Sequence, residues 1–260
     1  MCSCSAWRSN SISESLRRKF FGLPDAGIMK RFVEYIIFNK IVAKGLVKLI
    51  LRWHSQCYRW AGWCAVILND GVHPKHYITR YKEWFLEHIK PGVVVLDVGC
   101  DTGMLSALLA EKAAFVYAIE RNKERIAVAR TQHARPNIEY ILADATIYDY
   151  YLCRPINCVV MSNVLEHIEH RVDFLKKLVR QMKWADDKHK CFLFRTPMID
   201  RKWIVLYKKE LGLDYRLDPT HRIEYTLEQF KGELKQAGIM VKQVDTRFGE
   251  IYAVCEAASA

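Results

Sequence analysis

Proline and glycine are scarce in this sequence, at 7 and 12 of 260 residues. The sequence also contains no internal repeat and no low-complexity tract. These absences exclude collagen-like, repeat and largely disordered classes of protein. With 51% hydrophobic and 27% charged residues, the chain has the composition and length for one large core, or for one domain with an appendage.

A disulfide framework is also missing. The nine cysteines are odd in number and irregular in spacing, and several lie in apolar runs, where a thiol behaves as a small hydrophobic group. This usage is typical of a reducing compartment, so we expect a cytoplasmic protein. Cys2 and Cys4 have no partner cluster with the spacing of a zinc site, and we expect no metal there.

Positive charge is concentrated in the first third of the chain. Residues 1–90 carry 15 Lys and Arg against 6 Asp and Glu, whereas residues 91–260 carry 25 against 23. Within the basic part, the spacing of apolar and charged residues predicts a helix over about residues 31–60. Its basic stripe comprises Lys40, Lys44, Lys48 and Arg52, and its apolar residues include Ile37, Ile41, Leu46 and Ile50.

Two roles are open for this basic helix. Charged residues interrupt it too often for it to span a bilayer, which needs about 20 predominantly apolar residues. With Trp53 and Trp60 near its end, it has the composition of a helix that lies on an anionic membrane surface, here the inner face. Alternatively, its apolar side covers the folded domain and its lysines are simply solvated. No signal peptide is expected, because the first apolar stretch starts beyond residue 20 and lacks a small-residue cleavage pattern.

From Tyr77 onward, helical and strand patterns alternate. The run 93–98 is apolar and rich in β-branched residues, as expected of a strand buried on both faces. The predicted strands are 93–98, 115–120, 138–142, 156–162 and 191–197, and the predicted helices are 78–89, 104–112, 123–133 and 171–184. Alternation with short connections indicates parallel strands joined by right-handed crossovers.

The last part of the chain departs from this alternation. A helix is predicted after Thr226, which suits an N-cap, and is predicted to end at Gly238. Two strands follow, 239–245 and 250–255, and the short turn between them favours an antiparallel hairpin. The predicted fold class is therefore α/β, with a doubly wound, mostly parallel sheet over residues 77–260, the hairpin at the sheet's edge, and a helical extension over residues 1–76.

The strand ends carry the candidate binding residues. In a doubly wound sheet the ligand lies beyond the carboxyl ends of the strands. Gly99 and Gly103 flank the first strand-to-helix loop, where missing side chains let a ligand approach the backbone and the helix N-terminus offers free N–H groups. The third glycine of a dinucleotide-binding loop is absent.

Three acidic residues end three successive strands: Asp97, Glu120 and Asp144. Asp97 would repel a pyrophosphate but suits an ammonium group. Glu120 can accept hydrogen bonds from both hydroxyls of a ribose, and Asp144 can accept one from an adenine amino group. The ligand predicted by this set is cationic and carries ribose and adenine, a description that S-adenosylmethionine fits.

Four segments, "VLDVGCDTG", "AIERN", "LADAT" and "VVMSNVLEHI", resemble in order and spacing the successive motifs of class I S-adenosylmethionine-dependent methyltransferases. The resemblance extends from about Tyr77 to Glu256, and it implies a Rossmann-like fold and methyl transfer from that cofactor. It also implies the cofactor contacts: Gly99, Cys100, Asp101 and Gly103 at the methionine part, Glu120 at the ribose, Asp144 and Ala145 at the adenine, and Ser162 and Asn163 beside the methyl group. Arg121, which follows Glu120, is a further predicted cofactor-binding residue. Many family members have glycine where this chain has Asp101, and we expect Asp to adopt the left-handed geometry there.

Methyl transfer requires alignment of nucleophile, methyl group and sulfur, and an acceptor hydroxyl can also need a base. The candidate bases are Glu166, His167 and His221. Each also has a purely structural interpretation, in which Glu166 and His167 cap the following helix and His221 holds the loop after residue 211. The segment "SNVLEH" is similar to one in quinone-biosynthesis O-methyltransferases whose Glu and His positions are associated with a divalent metal. That pattern has a further Glu where this chain has Asn163, so we expect no metal site here.

Three functions stay open at this point. The first is methylation of a hydroxyl on a small-molecule, glycan or lipid-linked acceptor. The second is methylation of a nucleic acid or protein gripped by the basic N-terminal region, although the N-P-P-Y-type segment of many amino-methylating nucleic-acid enzymes is absent. The third is a nonenzymatic regulator that binds S-adenosylmethionine. Residues 195–225 lie where relatives of this fold place an acceptor lid, and they combine aromatic residues with many charges.

Overall fold

The computed structural model describes residues 39–186 and 189–258. They belong to two compact units, Met1–Ala61 and Gly62–Ala260. The described residues of the first unit lie mainly in helix α1, Lys40–Leu68. The Asn39 side chain begins this helix by accepting hydrogen bonds from the backbone N–H groups of Ile41 and Val42, at 3.0 and 3.3 Å.

Helix α1 carries the predicted basic stripe, but its bounds differ from the prediction. The predicted first part, residues 31–38 with Ile37, lies outside the described residues. The predicted end at residue 60 is wrong, because the helix continues to Leu68 and the chain turns only at Asp70 and Gly71, which both have positive φ. Among the helices of residues 39–186 and 189–258, none combines the length and apolarity needed to cross a membrane.

In the described part of the chain, seven strands form one sheet. They are β1 Val94–Val98, β2 Phe115–Glu120, β3 Ile138–Leu142, β4 Cys158–Ser162, β5 Lys190–Pro197, β6 Ile239–Arg247 and β7 Glu250–Ala257. Their order is β3-β2-β1-β4-β5-β7-β6. Strands β1 to β5 run parallel, and β7 pairs antiparallel with both β5 and β6. The predicted doubly wound sheet with an antiparallel hairpin at its edge is confirmed.

Short helices connect the strands. They are α2 Lys75–Thr79, α3 Tyr81–His88, α4 Met104–Leu109, α5 Lys123–Gln132, α6 Arg171–Gln181, α7 Trp203–Glu210 and α8 Leu227–Gln236, with 3-10 turns at Leu165–His167 and Ile199–Arg201. The single helix predicted over residues 78–89 is wrong, because the chain breaks at Arg80, whose φ is 50°. Helix α7 was not predicted. The predicted cap is confirmed, since the Thr226 side chain accepts the Gln229 N–H in a capping box.

The central strands are buried on both faces. Alternate residues of β1 point to opposite sides of the sheet. Val95 belongs to the cluster that contains Trp84 and Phe85 of α3, whereas Leu96 belongs to the cluster that contains Leu175 of α6. Burying each such side chain contributes about 1.5–3 kcal/mol. This two-sided packing fixes β1, and therefore also the loop that leaves its carboxyl end.

Candidate functional site

The carboxyl ends of β1, β2 and β4 open into one cavity of about 680 Å³. Its walls come from the β1–α4 loop, the residues that follow β2 and β3, the end of β4, and parts of the segments 76–81 and 218–222. This size is within the range of cofactor sites, roughly 300–1,000 Å³. All the residues predicted to contact the cofactor line this cavity, except Gly103.

The β1–α4 loop is held by tight packing. Gly99 and Gly103 have left-handed φ values of 71° and 81°. A Cβ atom at Gly99 would lie 2.6 Å from Val164 Cγ2, and one at Gly103 would lie 2.6 Å from the Tyr140 hydroxyl oxygen. Packing against these neighbours therefore requires glycine at both positions, whether or not a ligand approaches. The left-handed geometry expected of Asp101 is confirmed by its φ of 53°.

Asp97 is buried near the carboxyl end of β1, where it forms part of the cavity wall. Its Oδ2 accepts a hydrogen bond of 2.6 Å from Ser106 Oγ. Burial raises the pKa of Asp97 to about 7, the negative charge of Glu120 acts in the same direction, and the Ser106 bond opposes them. A cation bound beside Asp97 would therefore convert a partly protonated group into a carboxylate near neutral pH.

Glu120 and Asp144 also lie on the cavity wall, and both already accept local hydrogen bonds. Glu120 Oε1 accepts the Asn122 N–H at 2.8 Å, and Oε2 accepts the Asp101 N–H at 3.1 Å. Asp144 Oδ1 accepts bonds from the backbone N–H and the hydroxyl of Thr146, at 2.9 and 2.7 Å. Burial alone would raise the pKa of Asp144, but the Thr146 bonds hold it below its usual value. Both carboxylates thus organise loops, and their roles toward ribose and adenine stay predictions.

Ser162 and Asn163 line the cavity at the end of β4. Ser162 Oγ accepts a bond from Arg195 Nη1 at 3.3 Å, and the Asn163 N–H donates to the Arg195 carbonyl oxygen at 2.7 Å. The side-chain Oδ1 of Asn163 is buried and has no hydrogen-bond partner among the described residues. An unpaired buried acceptor costs about 1–3 kcal/mol. This oxygen is therefore suited to accept a bond from a ligand.

The three candidate bases occupy different positions. His167 is half-buried and lines the cavity, whereas Glu166 and His221 are buried and are not among the lining residues. Glu166 Oε2 accepts a bond from the Thr196 hydroxyl at 3.1 Å, and burial raises the pKa of Glu166 to about 7. His221 Nδ1 lies 3.2 Å from Glu224 Oε1. Of the three, His167 is the one placed to meet a group inside the cavity.

The same three residues have the spacing of a cation site. One possible ligand atom from each of Glu166, His167 and His221 lies within 4.8 Å of the others. Thr196 and Glu224 already form hydrogen bonds with two of these side chains and would compete with a cation for them. That this site binds no metal stays a prediction.

A protein family described as "Methyltransferase domain" matches residues 73–244 of the chain. The chain belongs to this methyltransferase family. Every residue that lines the cavity falls inside the matched range. The candidate site therefore lies entirely within the part of the chain that matches the family.

Two curated relatives match part of the methyltransferase. A ubiquinone biosynthesis O-methyltransferase of Azotobacter vinelandii is 32% identical over 123 residues, which are 46% of this chain and 51% of the relative. A ribosomal protein methyltransferase of Thermotoga neapolitana is 29% identical over 111 residues, which are 42% of this chain and 40% of the relative. The match thus spans about half the length of the first of these relatives and less than half of the second.

A solved structure shows the same fold. The magnesium protoporphyrin IX methyltransferase of Synechocystis, determined with bound SAH, has a TM-score of 0.53 and 17% identity, over 71% of this chain and 83% of that chain. The fold is that of class I Rossmann-like methyltransferases, and S-adenosylmethionine is the cofactor. The residues present fit it, because three strand-end carboxyl groups and the unpaired Asn163 Oδ1 converge on one cavity.

The remaining cavity wall was predicted only in part. Arg195, Asp218, Thr220 and Arg222 belong to the segment 195–225, which was expected near the acceptor, but they were not singled out. His76 and Tyr81 were missed. The Arg195 guanidinium lies 4.1 Å from the centre of the Tyr81 ring, and its Nε donates to Glu250 Oε2 at 2.8 Å. Lys75 Nζ forms an ion pair with the same carboxylate. A charged residue inside the apolar run "CFLFRTP" was the available signal, since a buried charge needs a partner.

Proposed function

We propose that this methyltransferase transfers a methyl group from S-adenosylmethionine to a hydroxyl group of a small-molecule, glycan or lipid-linked acceptor. The observation that carries the proposal is the position of His167 on the cavity wall, four residues beyond Asn163. Burial lowers the pKa of His167, so the ring is neutral and able to accept a proton near pH 7. A hydroxyl acceptor loses its proton during methyl transfer, and a positioned base typically contributes about 10²- to 10⁴-fold.

The strand-end residues are the proposed cofactor contacts. S-adenosylmethionine supplies a methyl group that its sulfonium makes electrophilic. In this proposal Asp97 faces the ammonium group, Glu120 the ribose hydroxyls and Asp144 the adenine amino group. Asn163 Oδ1 accepts a hydrogen bond from the bound ligand, and the cavity aligns the acceptor with the methyl group. His167 then removes the acceptor's proton.

The relatives support oxygen as the accepting atom and also leave a second candidate. The Azotobacter vinelandii relative is an O-methyltransferase by name. The Thermotoga neapolitana relative, a ribosomal protein methyltransferase by name, matches a similar share of this chain and favours a protein acceptor. The hydroxyl acceptor is the first candidate because the O-methyltransferase matches the larger share of this chain, 46% against 42%, at the higher identity, 32% against 29%.

We also propose that helix α1 contacts an anionic membrane surface. Its basic residues recur every fourth position, and the apolar side chains of Ile41 and Trp53 are 84% and 57% exposed. Each basic residue near an anionic surface contributes about 1 kcal/mol of attraction, and the apolar side chains insert at the headgroup boundary. Such contact would support a lipid-linked acceptor.

The test measures cofactor turnover with acceptors that differ in the accepting group: phenols and isoprenoid phenols, sugars, amines and ribosomal protein. We expect turnover with hydroxyl acceptors, and we expect His167→Gln to lower kcat by about 10²-fold while cofactor affinity is unchanged. His170→Gln, at an exposed histidine nearby, is the matched control. Turnover with ribosomal protein alone would favour the second candidate. Cofactor binding without turnover of any acceptor would contradict both candidates and favour a nonenzymatic regulator.

A further inference from the structure

Two side chains form a hydrogen-bonded series with His167. Thr220 Oγ1 lies 2.9 Å from His167 Nδ1 and 2.6 Å from Asp218 Oδ1. The Thr220 backbone N–H donates to the same Asp218 oxygen at 2.7 Å. The turn that contains Asp218 and Thr220 is thus closed by its own carboxylate, and its hydroxyl is presented to the imidazole. Asp218, Thr220 and His167 all line the cavity.

The direction of these bonds follows from counting protons. A threonine hydroxyl has one proton to donate. The bonds from Thr220 hold the pKa of Asp218 below its usual value, so Asp218 is a carboxylate and can only accept. A hydrogen bond that a hydroxyl donates to a charged carboxylate is also stronger than one that it donates to a neutral ring nitrogen. The Thr220 proton therefore goes to Asp218, and the Thr220 oxygen accepts a bond from an Nδ1–H of His167.

We propose that Asp218 and Thr220 are positioning residues, which hold His167 in its Nδ1–H tautomer and leave Nε2 as the atom that takes the acceptor's proton. This inference rests on the proposed function, because it specifies the base for that reaction. As the acceptor oxygen bonds to the methyl carbon, the carbon–sulfur bond breaks and its electron pair stays on sulfur. The hydroxyl proton moves to Nε2, and His167 becomes an imidazolium.

The charges around His167 suit this role. The His221 ring packs against it edge-on, with 4.7 Å between the ring centres. Burial lowers the pKa of His167, His221 and Arg121 act in the same direction, and Asp218 and Thr220 oppose them. The ring is therefore neutral before the reaction. Once the imidazolium forms, the Asp218 charge stabilises it through the Thr220 hydroxyl, as an oriented carboxylate does in other acid–base sites.

The tautomer is measured by nitrogen-15 NMR of the histidine side chains in the full chain, at a pH where His167 is neutral. His167→Gln identifies its signals. We expect Nδ1–H in the wild-type protein and in Thr220→Ser, and a mixture of both tautomers in Thr220→Val. An Nε2–H tautomer in the wild-type protein, or an unchanged tautomer in Thr220→Val, would overturn the proposal.

The kinetic measurement uses a hydroxyl acceptor that the panel identifies. We expect Thr220→Val to lower kcat by about tenfold or more and to change its pH profile, while cofactor affinity is retained and Thr220→Ser restores the rate. Wild-type kcat and pH profile in Thr220→Val would overturn the positioning role. If the wild-type protein methylates no hydroxyl, the proposed function fails, and the NMR result still decides whether Thr220 sets the tautomer.

Discussion

Cofactor binding is expected to depend on pH through Asp97. Burial raises the pKa of this carboxyl to about 7, and an ammonium group beside it in the proposed complex would return that pKa towards its ordinary range. Binding then requires loss of the Asp97 proton. With a pKa of about 7, about half of the free molecules are protonated at pH 7 and about ten in eleven at pH 6. The Kd should therefore rise about fivefold between pH 7 and pH 6.

Isothermal titration calorimetry with S-adenosylhomocysteine, which keeps the ammonium group, measures this dependence. Buffers with different ionisation enthalpies report the released proton. Asp97→Asn keeps the size of the side chain but cannot titrate, so it should bind about 1.5–3 kcal/mol more weakly and lose the fivefold change. Asp245→Asn, at a carboxylate on β6, is the matched control and should keep the wild-type profile. A wild-type Kd that is equal at pH 6 and pH 7 would refute the reasoning. The same fivefold change of Kd in Asp97→Asn would also refute it.

Three further predictions concern stability and the membrane. The pKa of Glu166 is raised in the folded protein from 4.5 to about 7, so it contributes stability below pH 4.5 that is lost as the pH rises through about 7. Chemical denaturation should show a loss of about 3 kcal/mol over this range that is absent in Glu166→Gln. Gly99→Ala should lower the free energy of unfolding by about 1–3 kcal/mol, because its Cβ would lie 2.6 Å from Val164 Cγ2. Glutamate in place of both Lys44 and Lys48 should abolish co-sedimentation of the full chain with anionic vesicles at low salt.

Each of these predictions has an internal control. In Glu166→Gln, the new side chain can still accept the hydrogen bond that the Thr196 hydroxyl donates to Glu166 Oε2. If Glu166→Gln and the wild-type protein lose the same free energy of unfolding between pH 4.5 and 7, groups other than Glu166 cause the loss. Val164→Ala combined with Gly99→Ala should recover part of the loss, and strictly additive losses would contradict the contact. Glutamate at Lys231 and Lys235, exposed on α8, should leave vesicle capture unchanged. Equal capture of both double variants would contradict a membrane role for α1.

The alternation of parallel strands and helices was predictable, because strands that are buried on both faces appear in the sequence as short apolar runs rich in β-branched residues. Strands β2 and β3 have the predicted bounds, and the short turn before β7 correctly indicated the hairpin. The break at Arg80 carried no such signal, because neither glycine nor proline marks that position. Helix α7 was missed because "WIVLYKKE" is too short and too mixed in polarity to show a clear apolar stripe.

The convergence of the motif residues on one cavity was predictable, and most of the remaining cavity wall was not. The motif residues follow directly from strand ends, so strand spacing alone brings them together. His167 and Thr220 are 53 residues apart in sequence, and Arg195 and Glu250 are 55 apart. No local period encodes such pairs, because they meet only through the packing of the whole sheet. For the same reason, sequence did not distinguish a base on the cavity wall, His167, from the buried Glu166.

The Glu250 carboxylate joins three parts of the chain: β7, which carries it, Lys75 of α2 and Arg195 of β5. Glu250 is buried and does not line the cavity, yet it holds the guanidinium that bonds Ser162 on the cavity wall. A substitution in the C-terminal hairpin can therefore alter the cavity wall from outside the cavity, because it acts through the Arg195 guanidinium. A directed-evolution library restricted to cavity-lining positions would leave that route unexplored.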